Sequence, residues 1–148
     1  HTNDAPSTIT RLQNMGTPDY LISAATQLVL AQRLARRSCK ECRVPDEDVT
    51  PKVLTDLGFS PELASRVKAL KGKGCPKCKD SGYKGRQGIY EILVVSKPVK
   101  EAILRQATTP ELREIAVKEG FQTMQDMGRR LIANGELNFR EYERVLSS

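Results

Sequence analysis

Four cysteines occur in this 148-residue chain, and they fall as two pairs, Cys39-Lys-Glu-Cys42 and Cys75-Pro-Lys-Cys78, with 32 residues between them. A C-x-x-C turn lets two sulfurs converge on one ion, and two such turns complete a tetrahedral thiolate shell with Zn–S near ~2.3 Å. Lys40, Arg43, Lys73, Lys77 and Lys79 flank the sulfurs. Their charge favours thiolate over thiol and partly offsets the double negative charge of a four-thiolate zinc centre. The metal ligands expected are therefore Cys39, Cys42, Cys75 and Cys78. With every position taken by protein, the ion has no open site for a catalytic water, so its role is structural. Disulfides are the competing chemistry, but they suit secreted chains and nothing in the sequence points outside the cell. A redox pair of the thioredoxin type needs no second pair.

The gap between the pairs exceeds the roughly 15–20 residues of compact zinc ribbons. Folded elements must then bring the pairs together. Two helix starts interrupt the gap, Thr50-Pro51 and Ser60-Pro61, each an N-cap followed by proline at the first helical position. Upstream, Pro6 suits the first turn of a helix whose Ile9, Leu12 and Met15 share a face and which Gly16 stops. Asp19 is expected to cap a second helix from Tyr20 to about Gln27, and a strand then runs through Arg37. Gly88-Ile-Tyr-Glu-Ile-Leu-Val-Val95 is rich in β-branched and aromatic residues and reads as a second strand. If these strands are antiparallel neighbours, an ion on the cysteines clips the excursion at its base. Residues 97–148 read as short helices, one with a Thr108–Glu111 capping box, one from about Thr123 to Asn134, and one capped at Asn138. Leu112, Ile115 and Ala116 form one apolar face; Met124, Met127, Leu131 and Ile132 form another.

Composition bounds the rest. Apolar residues make up 39% and charged residues 28%, as in a folded globular protein, and the absence of Trp leaves the core to Leu, Ile, Val and Ala. No apolar run approaches the length of a membrane span. A net charge of +6 is compatible with acidic partners and identifies none. The basic residues are not interleaved with aromatics, which argues against specific nucleic-acid binding. A chain that opens on His1 with no methionine is expected to be a fragment of a longer protein.

His1-Thr-Asn-Asp-Ala5 resembles the histidine box of the secretion ATPases, the motors of type II secretion and type IV pilus assembly. Arg11-Leu-Gln-Asn-Met-Gly16, Leu30-Ala-Gln-Arg-Leu-Ala-Arg-Arg-Ser-Cys39, Gly74-Cys-Pro-Lys-Cys78 and Gly82-Tyr-Lys-Gly-Arg-Gln-Gly-Ile-Tyr-Glu91 carry the same resemblance along nearly the whole chain. The wording of residues 30–37 is closest to the pilus-assembly branch. Ser38 stands where the family commonly has an apolar residue.

The resemblance implies an α/β fold that is mostly helical here: part of a RecA-like core in residues 1–38, a zinc-clipped helical insert in 39–85, a returning core strand in 86–96 and a helical subdomain in 97–148. It implies a hexameric parent at the cytoplasmic side of the inner membrane, peripheral to it and gripping a platform protein. That parent would use ATP and Mg2+ to drive pilin polymerisation or, alternatively, protein export. By match to the family's motifs, His1 would sit near the γ-phosphate, Asn3 beside the nucleotide, and Arg86 either against nucleotide or the next subunit or in a surface or strand-pairing role. No G-x-x-x-x-G-K-[ST] loop occurs in these residues. Without its amides and lysine to cradle phosphates, the chain alone is expected to hydrolyse no ATP. A stand-alone zinc module binding nucleic acid is the contrasting reading. Residues 75–82 also resemble one repeat of a zinc-binding chaperone module, which needs more cysteine pairs than occur here.

Overall fold

The computed structural model describes residues 2–147. In chain order the elements are α1 (Ala5–Asn14), α2 (Asp19–Ala25), β1 (Leu28–Ser38), β2 (Arg43–Pro45), α3 (Pro51–Asp56) and α4 (Pro61–Arg66). There follow β3 (Leu70–Gly72), a single 3-10 turn at Pro76–Cys78, β4 (Tyr83–Val94), α5 (Lys97–Leu104), α6 (Thr109–Lys118), α7 (Met124–Ala133) and α8 (Phe139–Leu146). Two compact units result, one from the residues up to 32 with 90–124, the other from 33–89 with the residues after 124. The two long strands β1 and β4 pair with each other, as the sequence suggests.

In the first unit α1 begins where Asp4, in extended conformation, accepts the Ser7 N–H on Oδ1 at 2.8 Å. Pro6 occupies the first turn, where a missing amide costs nothing. Ile9 is fully buried, but Met15 is 72% exposed. The helix stops at Asn14, so Met15 is its C-cap and leaves the apolar face that the periodicity assigns it. Asp19 likewise differs from expectation. It is the first residue of α2 instead of its cap, Pro18 holds the cap position, and the Asp19 carboxylate accepts from Gln13 and Gln106. Around them α2 packs on α5, α5 on α6 and α6 on α1, burying Ile22, Val99, Ile103 and Leu112. The Thr10 and Thr109 hydroxyls meet at 2.6 Å between α1 and α6.

The second unit holds the segment between the cysteine pairs. Thr50 accepts the Val53 N–H and Ser60 the Leu63 N–H, so α3 and α4 start where their caps predict. The short strands β2 and β3 pair antiparallel, Arg43 with Gly72 and Pro45 with Leu70. Helices α7 and α8 approach closely at Gly128, where a β-carbon would stand 2.5 Å from Leu146 Cδ1 and 2.7 Å from the Tyr142 ring.

Glu141 fastens α8 to β1. Its side chain is fully buried, accepts the Arg36 backbone N–H at 2.8 Å, and pairs with the Arg36 guanidinium at 2.8 Å and with Arg144 one turn along. Burial opposes ionisation of this carboxyl, yet the hydrogen bonds from Arg144 and Arg36 outweigh it and hold the group down at about 2. Arg36 also lies over the Tyr83 ring, 4.1 Å from its centroid, and Asn138 donates to the Tyr83 hydroxyl at 2.9 Å.

One buried polar group stands out beside this clasp. Ser38 is 1% exposed and its hydroxyl has no hydrogen-bond partner among the described residues. Desolvating an unpaired hydroxyl is costly, so Ser38→Ala is expected to stabilise the chain by about 1 kcal/mol. Thermal unfolding should show the midpoint rising by roughly 2–4 °C.

Candidate metal centre

The cysteine pairs close on each other through backbone bonds between their flanks. The Cys39 N–H donates to Gly82 C=O at 2.9 Å, and the Lys73 N–H donates to Cys42 C=O at 3.1 Å. Gly72 and Gly82 touch backbone to backbone: a β-carbon on Gly72 would lie 2.1 Å from the Gly82 oxygen. Gly82 also has φ of +78°, which only glycine adopts without strain. Lys79 and Asp80, at φ of +53° and +58°, turn the chain out of Pro76–Cys78 toward β4.

These contacts bring all four sulfurs within 4.8 Å of one another. Cys39 Sγ is 3.8 Å from Cys75 Sγ, Cys42 Sγ is 3.9 Å from Cys78 Sγ, and Cys75 Sγ is 3.7 Å from Cys78 Sγ. A disulfide would need about 2.05 Å. The separations are those of vertices around a common centre, and such a cluster can hold a metal ion. Cys39, Cys42 and Cys78 are buried and Cys75 is half-buried.

The sulfurs are not equivalent. Burial pushes the Cys42 thiol up to about 11. Burial also acts upward on Cys78, but the N–H groups of Cys75 and Gly82, at 3.2 and 3.3 Å from its sulfur, hold it down to about 6. One thiolate is thus prepared by the fold. These amides were the functional groups that the residue pattern left out; Pro76 and Gly82 were their only trace, since the turn they permit aims the N–H groups inward. Two of the flanking cations do other work. Arg43 donates to Gly135 C=O at 2.7 Å, and Lys77 pairs with Glu41 on the surface.

The remaining predicted site residues lie elsewhere. His1 is outside the described residues. Asn3, in the first unit, is exposed and lines a polar cleft of about 300 Å³ with Ser7, Arg11 and Thr109. Arg86 belongs to the second unit, exposed on β4. Asn3 and Arg86 therefore fall in different units. Among the described residues no helix is long and apolar enough to cross a membrane.

Comparison with known proteins agrees with the motifs. The type IV pilus assembly ATPase PilB of Myxococcus xanthus is 38% identical over 95% of this chain, and that of Thermus thermophilus 43% over 86%. The type II secretion system protein HxcR of Pseudomonas aeruginosa is 36% identical over 98%. The chain spans 25%, 14% and 27% of these three relatives, about a quarter or less of their length. A family model described as type II/IV secretion system protein matches residues 1–144, and this chain belongs to that family.

Proposed function

We propose that this chain is the zinc-braced C-terminal portion of a hexameric motor ATPase that powers type IV pilus assembly. The observation that carries the brace is the sulfur spacing. Four sulfurs at about 2.3 Å from a central zinc stand about 3.8 Å apart, and three of the separations are 3.7, 3.8 and 3.9 Å. Cys39, Cys42, Cys75 and Cys78 would hold Zn2+, which would supply a cross-link and no reaction chemistry.

The motor reading is supported by the similarity to pilus-assembly and secretion ATPases and by an uncovered apolar strand face. Leu28, Leu30, Tyr90, Ile92 and Val94 are 40–62% exposed on β1 and β4, a sheet of two strands. A two-stranded ribbon with that much exposed apolar surface needs further strands or helices upon it. In the proposed parent, residues 1–38 and 86–96 complete a RecA-like core, 39–85 form the zinc insert and 97–148 a helical subdomain. His1 reads the γ-phosphate of ATP bound with Mg2+, Asn3 lies beside the nucleotide, and Arg86 faces nucleotide or the next subunit. The parent would work in the cytoplasm at the inner membrane, against a platform protein.

A type II secretion motor is the second reading, favoured by the 36% identity to HxcR. A nucleic-acid module is disfavoured, because arginines near the cysteines are spent internally: Arg36 on Glu141, Arg37 on Glu136 and Arg43 on Gly135.

Steady-state hydrolysis tests the division of labour. The full-length protein is expected to turn over ATP, His1→Ala to lower kcat about tenfold or more, and the 148-residue chain alone to show no activity. Turnover by the isolated chain, or an unaffected His1→Ala, would contradict the proposal.

A further inference from the structure

Glu91 is the one acidic residue of β4 and is 2% exposed. Its Oε1 accepts the Ala5 N–H at 2.6 Å, and its Oε2 accepts the Met124 N–H at 2.9 Å. All three residues lie in the first unit. Ala5 opens α1 and Met124 opens α7. First-turn amides have no partner within their own helix and carry the positive end of its dipole, so a carboxylate satisfies both needs at once. Here a single carboxylate does so for two helices, one oxygen to each.

The placement of Ala5 gives this bond its significance. Ala5 is fully buried and directly follows Thr2-Asn3-Asp4. Asp4 caps α1 through Ser7 and pairs with Arg113 on α6. The segment is therefore pinned twice, by Asp4 to α6 and by Ala5 to β4. The Glu91–Ala5 bond is buried and cannot be exchanged for water without leaving polar groups unpaired, whereas the Asp4–Arg113 pair is partly exposed.

We infer that Glu91 is a positioning residue for nucleotide turnover. Through the Ala5 amide it fixes the Thr2–Asp4 segment against β4, and through the Met124 amide it ties that placement to the start of α7. This rests on the proposed motor, in which that segment meets the nucleotide. Glutamine at this position turns an NH2 group toward one of the two amides, so one helix start is released while the side-chain volume stays the same. Aspartate keeps the charge but is one methylene too short to reach both.

The test is made in the full-length ATPase. Glu91→Gln is expected to lower kcat about tenfold or more while KM for ATP stays within about threefold, because misplacing a reacting group by an ångström is enough for such a loss. Glu91→Asp should fall between it and wild type. A carboxylate that served stability alone would lower the melting temperature and leave kcat per folded molecule, measured well below it, unchanged. Amide exchange in the unmodified protein supplies a measurement independent of any variant's folding: Ala5 and Met124 should both be strongly protected.

A kcat within about twofold of wild type in Glu91→Gln, or exchange at Ala5 or Met124 as fast as in an unstructured peptide, overturns the inference. His1→Ala measured alongside separates the two failures. If it leaves kcat unchanged, the motor reading itself fails; if it lowers kcat while Glu91→Gln does not, only the role of Glu91 falls.

Discussion

Cys78→Ser is expected to release the proposed zinc and unfold the cysteine-bearing part of the chain. Cys78 Sγ lies 3.7 Å from Cys75 Sγ and 3.9 Å from Cys42 Sγ, and two amide N–H groups point at it. Serine keeps the shape, but its hydroxyl remains protonated near neutral pH and is a poor zinc ligand. Zinc binding in small structural sites is worth on the order of 10 kcal/mol, comparable with the entire 5–15 kcal/mol that stabilises an ordinary domain. The elements within residues 39–82 are short, α3 and α4 six residues each and β2 and β3 three each, so loss of a four-sulfur cross-link weighs heavily on them. Purified wild-type chain should carry one zinc, and the variant well under half. Amide exchange across residues 39–82 should rise in the variant and in chelated wild type alike. Acidification should act in the same direction, because protons compete with the metal for thiolate. Full zinc content in Cys78→Ser, or an unchanged melting temperature, would remove the brace from the proposal.

The second large effect concerns the clasp on α8. Glu141→Gln is expected to cost about 2–3 kcal/mol at neutral pH, since an amide cannot accept from Arg36 and Arg144 on both faces as the carboxylate does. The arginines are each half exposed and can rehydrate, which keeps the loss below that of a fully buried broken pair. The pH dependence gives a sharper signature. The carboxyl titrates near 2 in the folded chain and near ~4.3 when unfolded. A depressed carboxylate contributes its full stabilisation above the unfolded value and loses it as pH falls toward the folded one. The gap in unfolding free energy between wild type and Glu141→Gln should therefore be constant from about pH 7 to 5 and narrow between about 4 and 2. Denaturant unfolding of both chains across that range measures it, and a gap that does not narrow would reject the ion pairs as its source.

How far the sequence anticipates this molecule depends on the range of the interaction. Caps act within four residues, so Thr50, Ser60, Thr108 and Asn138 announced α3, α4, α6 and α8 correctly. The switch from helix to strand before Leu28 was visible because period 3.6 gives way to period 2. The cysteine pairs were legible for the same reason: each turn is local, and chemistry supplies the demand that the two meet. Elements of three residues carry too little pattern, so β2 and β3 went unforeseen. Glu91 lay beyond local reasoning altogether. Its partners stand 86 and 33 positions away, and a lone acid in an apolar strand does not name the amides it serves. Met15 and Asp19 erred by a single residue, one falling past a helix end and the other inside a start, where neighbouring residues compete for the same role.

The 36 positions separating Cys39 from Cys75 also set the order in which this chain can assemble. Closing a loop of that length is slow and entropically costly compared with forming a helix turn or a C-x-x-C knuckle. Each knuckle can capture an ion on its own soon after the chain emerges, whereas the four-sulfur shell waits for the Gly72 and Gly82 backbones to meet. Refolding should then proceed through a half-ligated species whose lifetime depends on free zinc, with excess metal slowing completion by loading both knuckles separately. If the proposed zinc binds, the bare contact between two glycines would be the step at which a flexible, partly ligated chain commits to one structure.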